Sequence, residues 1–155
     1  MNEKSEFLRH AVATVAYRAA RALDGAPADF AEFNGTGRTP GQILAHMGDL
    51  FDWALSCVEG QERWHNSKPL GWEEEKRRFF ATLGAFDRAL AGDLAPECEL
   101  ERLFQGPVAD ALTHVGQIAM MRRLAGYQSR GENFYVAEIK VGQTGAEQPA
   151  PVQPF

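Results

Sequence analysis

Apolar residues recur three and four positions apart in four separate segments of the chain, which is the spacing of an amphipathic α-helix. The predicted helices cover about residues 5–23, 40–59, 72–90 and 107–125, with glycine and proline in the segments between them. Four amphipathic helices of similar length in a chain of 155 residues predict one all-α domain, a four-helix bundle spanning residues 1–155.

Two of these helices have a recognisable start. Thr39-Pro40-Gly41-Gln42 is a capping box, in which Thr39 is the N-cap and Gln42 reaches back to it. Pro107 follows Gln105-Gly106, and proline suits the first position of a helix, so we expect the fourth helix to begin there.

The connections between the helices are uneven in length. Residues 61–71 and 91–106 are long enough for a crossover connection, so the bundle need not follow a simple up-down-up-down order. Residues 127–155 are rich in glycine, proline and glutamine and predict an irregular C-terminal arm. Phe134-Tyr135-Val136 and Ile139 are the apolar residues expected to anchor this arm on the bundle.

Charge and hydropathy exclude some partners. The net charge of −5 is opposite to what a nucleic-acid partner requires. The densest basic cluster, Lys76-Arg77-Arg78, follows three glutamates, and the pairs Glu73/Arg77 and Glu74/Arg78 predict a solvated, self-neutralising helix face. No apolar run is long enough for a membrane span, and no signal segment is evident at Met1, so the predicted location is the cytoplasm.

The chemistry-bearing residues concentrate on the second and fourth helices. Asp110 and His114 are four residues apart and therefore share one helix face, and His46 lies at the border of the apolar arc of the second helix. A third side chain from a facing helix would complete a metal site with open coordination positions, as catalytic metal sites have. Asp49, one turn after His46, is placed to accept the second N–H of that imidazole.

Each of these residues also has an ordinary structural interpretation. Asp110 in the first turn of a helix is favoured by the unpaired N–H groups there. His114 could pair with Asp110 on the surface, and His46 could be a hydrogen-bonded histidine of the helix seam.

Cys57 is about 16 Å along the helix from His46, too far to share a metal, and is either a pocket thiol or part of the core. Trp53, Trp64 and Trp72 either wall a pocket or fill the core.

Several segments together resemble the DinB-like superfamily, which includes proteins related to bacterial thiol-dependent transferases. They are Thr39–His46 with Asp52-Trp53, Asp110–Gln117, Gly131–Tyr135 and Ala137–Ile139, so the resemblance spans nearly the whole chain. It implies a four-helix bundle, often a homodimer, with a divalent metal held by His46, Asp110 and His114. Many members have three histidines, whereas this chain has Asp110 at one of those positions.

The resemblance implies zinc or nickel at this site, and the carboxylate of Asp110 makes iron or manganese more plausible. It also implies transfer of a low-molecular-weight thiol to a small-molecule electrophile, with Asp49 and Gln117 the candidates by position for a general base. The alternative is a non-catalytic, stress-associated bundle that binds a metal or a ligand. An opening beside the three ligands, lined by tryptophan or phenylalanine, would favour the enzyme. Three ligands that are closed off from solvent would favour the non-catalytic bundle.

Overall fold

The computed structural model describes residues 2–35 and 37–155 and confirms the all-α prediction. The long helices are α1 (Glu3–Leu23), α2 (Pro40–Val58), α3 (Trp72–Leu90) and α5 (Ala109–Leu124). A short helix α4 (Leu100–Leu103) precedes α5, and 3₁₀ turns lie at Ala28–Glu32 and Phe134–Val136. One cluster of buried apolar residues draws on all four long helices.

The four long helices form a ring in which α1 contacts α3 and α5, and α2 contacts α3 and α5. The Ser5 hydroxyl donates to the carbonyl of Leu90, so α1 and α3 are antiparallel. Arg78 near the start of α3 reaches the carbonyl of Ala45 near the start of α2, so α2 and α3 are parallel. The pairs α1/α3 and α2/α5 therefore lie on opposite sides of the bundle.

Parallel packing of α2 and α3 requires the crossover that the loop lengths suggested. Residues 59–71 run back along α2: the backbone N–H of Arg63 donates to Ser56, and that of Ser67 to Asp49. The chain thereby returns to the end of the bundle where α2 began before α3 starts. This return brings Trp64 alongside α2.

The sequence prediction of helix starts was correct for α2 and wrong for the last helix. Thr39 and Gln42 form both hydrogen bonds of the capping box. Pro107, however, is not a first helical residue, because α4 continues through a π-helical turn at Phe104–Val108 into α5. The wider i→i+5 turn accommodates a proline that has no N–H to donate.

The charged face predicted for α3 is also organised differently. Arg78 pairs with Glu75 at 2.6 Å, not with Glu74, and Glu75 is fully buried. Lys76 pairs with Glu73 at 3.0 Å. The face is not wholly solvated, because the crossover segment covers it: the N–H of Leu70 donates to Glu75.

The C-terminal arm lies on α1 and is held mainly by a buried carboxylate. Glu132 accepts from the Tyr17 hydroxyl and the Arg21 guanidinium, both at 2.6 Å. Phe134 packs edge-on against Tyr17, whereas Tyr135, predicted as an anchor, is 96% exposed. The Pro149 carbonyl accepts a further hydrogen bond from Arg21. The arm thus occupies the side of the bundle away from the α2/α5 seam.

Among the described residues, no helix is both long enough and apolar enough to span a membrane.

Candidate metal centre

His46, Asp110 and His114 come together in the seam between α2 and α5. Asp110 Oδ2 lies 3.3 Å from Nε2 of His46 and 3.3 Å from Nε2 of His114. The two imidazole rings are 4.9 Å apart between centroids and nearly perpendicular. Within the described residues, this is the one group of three whose ligand atoms all lie within 4.8 Å of one another.

The hydrogen bond between Nδ1 of His114 and Gln117 determines whether Nε2 of His114 is a donor or an acceptor. Nδ1 of His114 lies 2.7 Å from Oε1 of Gln117, which can only accept, so Nδ1 carries the proton. In the neutral ring Nε2 then presents a lone pair to Asp110 Oδ2. Two electron-rich atoms facing each other at this distance are stabilised by a cation between them, either a second ring proton or a metal ion.

The two distances to Asp110 are compatible with a metal ion. At 3.3 Å they are also longer than a charge-assisted N–H···O bond, which is about 2.7–2.9 Å. Two ligands about 2.1 Å from one ion and about 90–110° apart are separated by about 3.0–3.4 Å. The residues present therefore fit a divalent metal, and Gln117 has the place of the outer hydrogen-bond partner that such a histidine usually has.

The trio is open to solvent on one side. The side chains of His114, His46 and Asp110 are 12%, 26% and 44% exposed. Trp64 from the crossover segment packs edge-on against His46 at 5.7 Å, and Trp53 packs against Trp64. The partly exposed trio therefore has a tryptophan side chain beside it.

Asp110 does not lie at the start of a helix, because α4 continues through the π-helical turn into α5. Val108, which precedes α5, already has helical backbone angles, and the π-helical turn lies before it. Asp110 therefore does not sit at a free helix N-terminus with unpaired N–H groups to stabilise it. Its contacts are instead the two imidazoles, and π-helical turns of this kind occur frequently at functional sites.

Asp49 has a different role from the one considered for it. Its Oδ1 accepts from the Ser67 hydroxyl at 2.7 Å and from Arg78 at 3.1 Å, and its Oδ2 accepts from the Ser67 N–H at 2.8 Å. Asp49 is only 3% exposed. Its carboxylate fastens the crossover segment to α2 and α3, and the contact to His46 comes from Asp110 instead.

Three clefts open beside α2, and one of them is also lined by α5. The Arg38 cleft, about 590 Å³, is lined by Arg38, Ile43, His114, Gly116, Gln117 and Met120. The loop cleft, about 320 Å³, is lined by Arg38, Gln42, His46, Ser67 and Lys68. The Trp53 cleft, about 480 Å³, lies towards the other end of α2 and is lined by Trp53, Cys57, Glu62, Glu97, Cys98 and Arg102.

The cysteines are cleft residues that also pack on the core. Burial, and then the neighbouring Glu62 carboxylate, raise the pKa of the Cys57 thiol, and burial raises that of Cys98. A raised pKa keeps both thiols protonated at neutral pH, which does not suit a nucleophile. Trp72, by contrast, is a core residue that packs against Phe30.

The sequence did not single out Arg38, and it placed Arg78 on a solvated helix face. Arg38 precedes the capping box and carries no motif of its own, and the role of Arg78 depends on the direction of the crossover. Trp64 was noted only as a potential wall residue, since nothing in the local pattern placed it against His46.

A scan of protein-family models, a search of curated proteins and a search of solved structures each gave no match to this chain.

Proposed function

We propose that this protein is a divalent-metal-dependent enzyme of the DinB-like superfamily that transfers a low-molecular-weight thiol to a small electrophile. The observation that carries the proposal is the open trio of His46, Asp110 and His114, supplied by two helices. These are the positions at which the sequence resemblance puts the metal ligands.

The donor set suits several metals. Two imidazoles and one carboxylate are compatible with zinc or nickel, and also with iron or manganese. When bound, a divalent metal supplies Lewis acidity, which lowers the pKa of a coordinated thiol and keeps it in the nucleophilic form.

The chain's own residues would position the reactants. Gln117 holds the tautomer of His114, and Trp64 shields one side of His46 from water. The two clefts that include a histidine of the trio have the size of small-molecule sites. Asp49 is bound to Ser67 and Arg78 and is therefore not placed to act as the base. A bound metal would lower the pKa of the thiol, so that the thiol would lose its proton to solvent at neutral pH.

The second candidate function is a non-catalytic, stress-associated bundle that binds a metal or a ligand. The observation that favours it is that Asp110 Oδ2 contacts both imidazoles directly, as it would if one imidazole were protonated and the trio were a polar element of the seam. The superfamily resemblance further suggests a homodimer, and sedimentation at micromolar concentration tests that separately.

The functional proposal can be tested by thiol binding and turnover together. Cobalt-loaded protein is titrated with cysteine, glutathione and other small thiols while the sulfur-to-cobalt charge-transfer band is followed. Conjugation of each thiol to 1-chloro-2,4-dinitrobenzene is then measured with zinc, nickel, iron and manganese. We expect a charge-transfer band and metal-dependent conjugation, both lost in His114→Ala. Metal binding without either signal would favour the non-catalytic bundle.

A further inference from the structure

We infer that the Arg38 cleft binds an amphipathic anion, a small molecule with a carboxylate and an apolar body, beside the candidate metal ligands. This inference rests on the proposed function for its meaning as a substrate subsite. The binding itself depends only on the residues of the cleft.

Charge is distributed unequally among the three clefts. Arg38 lines both the Arg38 cleft, with His114, and the loop cleft, with His46. Lys68 adds a second positive charge to the loop cleft, and the Asp49 carboxylate there is paired with Arg78. The Trp53 cleft towards the other end of α2 has Glu62, Glu97 and Glu99 against one arginine, Arg102. An anion is therefore attracted to the clefts that Arg38 lines and repelled from the Trp53 cleft.

The walls of the Arg38 cleft select for an apolar body. Ile43 on α2 and Met120 and Met121 on α5 line it together with His114. Met120 is 51% exposed, so its side chain is accessible to a ligand in the cleft. Methionine adapts to ligands of different shape.

Gly116 lines the cleft without a side chain that would fill it. A Cβ at this position would meet no atom within 4 Å, so the helix surface between His114 and Met120 is left open. A guanidinium and an apolar wall in one cleft match a molecule that carries its charge at one end.

The test compares 4-phenylbutyrate with its neutral amide by isothermal titration, in metal-free and zinc-loaded protein. The wild type should bind the carboxylate about tenfold more tightly, the factor given by one charge-assisted hydrogen bond of about 1.4 kcal/mol. Arg38→Gln should bind both probes equally. Arg123→Gln, which removes an exposed charge from α5 outside the three clefts, should keep the preference.

A second variant tests the location. Gly116→Leu places a bulky side chain in the cleft at a position where a Cβ meets no atom within 4 Å, and it should weaken both probes while zinc content stays at the wild-type level. Equal binding of the two probes by the wild type, a preference that survives Arg38→Gln, or no saturable binding at millimolar concentration overturns the inference. Absence of zinc from the wild type would contradict the metal proposal, while the metal-free titration still decides the anion site.

Discussion

The same substitution at two helical glycines should change stability in opposite directions. Gly116 in α5 faces open space, whereas a Cβ on Gly48 in α2 would lie 2.8 Å from Cζ and Nη2 of Arg78. Arg78 cannot move freely, because it donates to Glu75, Asp49 and the carbonyl of Ala45. We therefore expect Gly116→Ala to stabilise the protein and Gly48→Ala to destabilise it.

The magnitudes follow from the contacts. Alanine is favoured over glycine inside a helix by about 0.5–1 kcal/mol, which is the expected gain for Gly116→Ala. Gly48→Ala has the same gain but displaces Arg78 from Asp49 and Ala45. Hydrogen bonds to charged groups contribute about 1.5–3 kcal/mol each, and Arg78 is partly exposed, so a net loss of about 2 kcal/mol is expected.

Chemical denaturation followed by far-UV circular dichroism measures both changes. A double-mutant cycle with Arg78→Ala provides the control, because Gly48→Ala should become stabilising once the guanidinium is absent. If Gly48→Ala stabilised the protein as much as Gly116→Ala, the Arg78 network would be free to rearrange. The reasoning that it fastens the crossover segment would then be wrong.

Three further outcomes are expected. Gln117→Leu should lower metal affinity about 10–100-fold by removing the partner of His114 Nδ1, with little change in unfolding free energy; unchanged affinity would contradict the assigned tautomer. Glu132→Gln should make the C-terminal arm more sensitive to protease while metal content stays constant, because the arm lies away from the seam; metal loss would contradict that placement. Alkylation of Cys57 and Cys98 by iodoacetamide should be slow at neutral pH and accelerate only above the ordinary thiol pKa, because burial raises the pKa of each thiol and only the thiolate reacts; a profile matching free glutathione would contradict it.

Local signals in the sequence predicted the elements that depend on local chemistry. The capping box set the start of α2, and the apolar period gave the bounds of α3, because both depend on neighbours within one or two turns. Pro107 was misleading for a physical reason. A π-helical turn accommodates a proline inside a helix, and the pattern before it did not show that the helix had already begun at Leu100.

The site was predicted in part. The helix face shared by Asp110 and His114 follows from their spacing. The position of His46 at the border of the apolar arc of α2 predicted that it lies in a seam between helices. The surroundings of the site depend on long-range packing. The crossover places Trp64 on His46 and Ser67 on Asp49, and the contacts of Arg78 require α2 and α3 to be parallel. No local period in the sequence encodes that direction.

Elemental analysis of untagged protein shows whether His46, Asp110 and His114 hold a divalent metal. The wild type is compared with His46→Ala and His114→Ala, with His10→Ala as the matched control, since His10 lies on the exposed face of α1. We expect near-stoichiometric metal in the wild type and the control, and its loss in both site variants. A wild type that contains no metal and takes up none of zinc, nickel, iron or manganese would contradict the account.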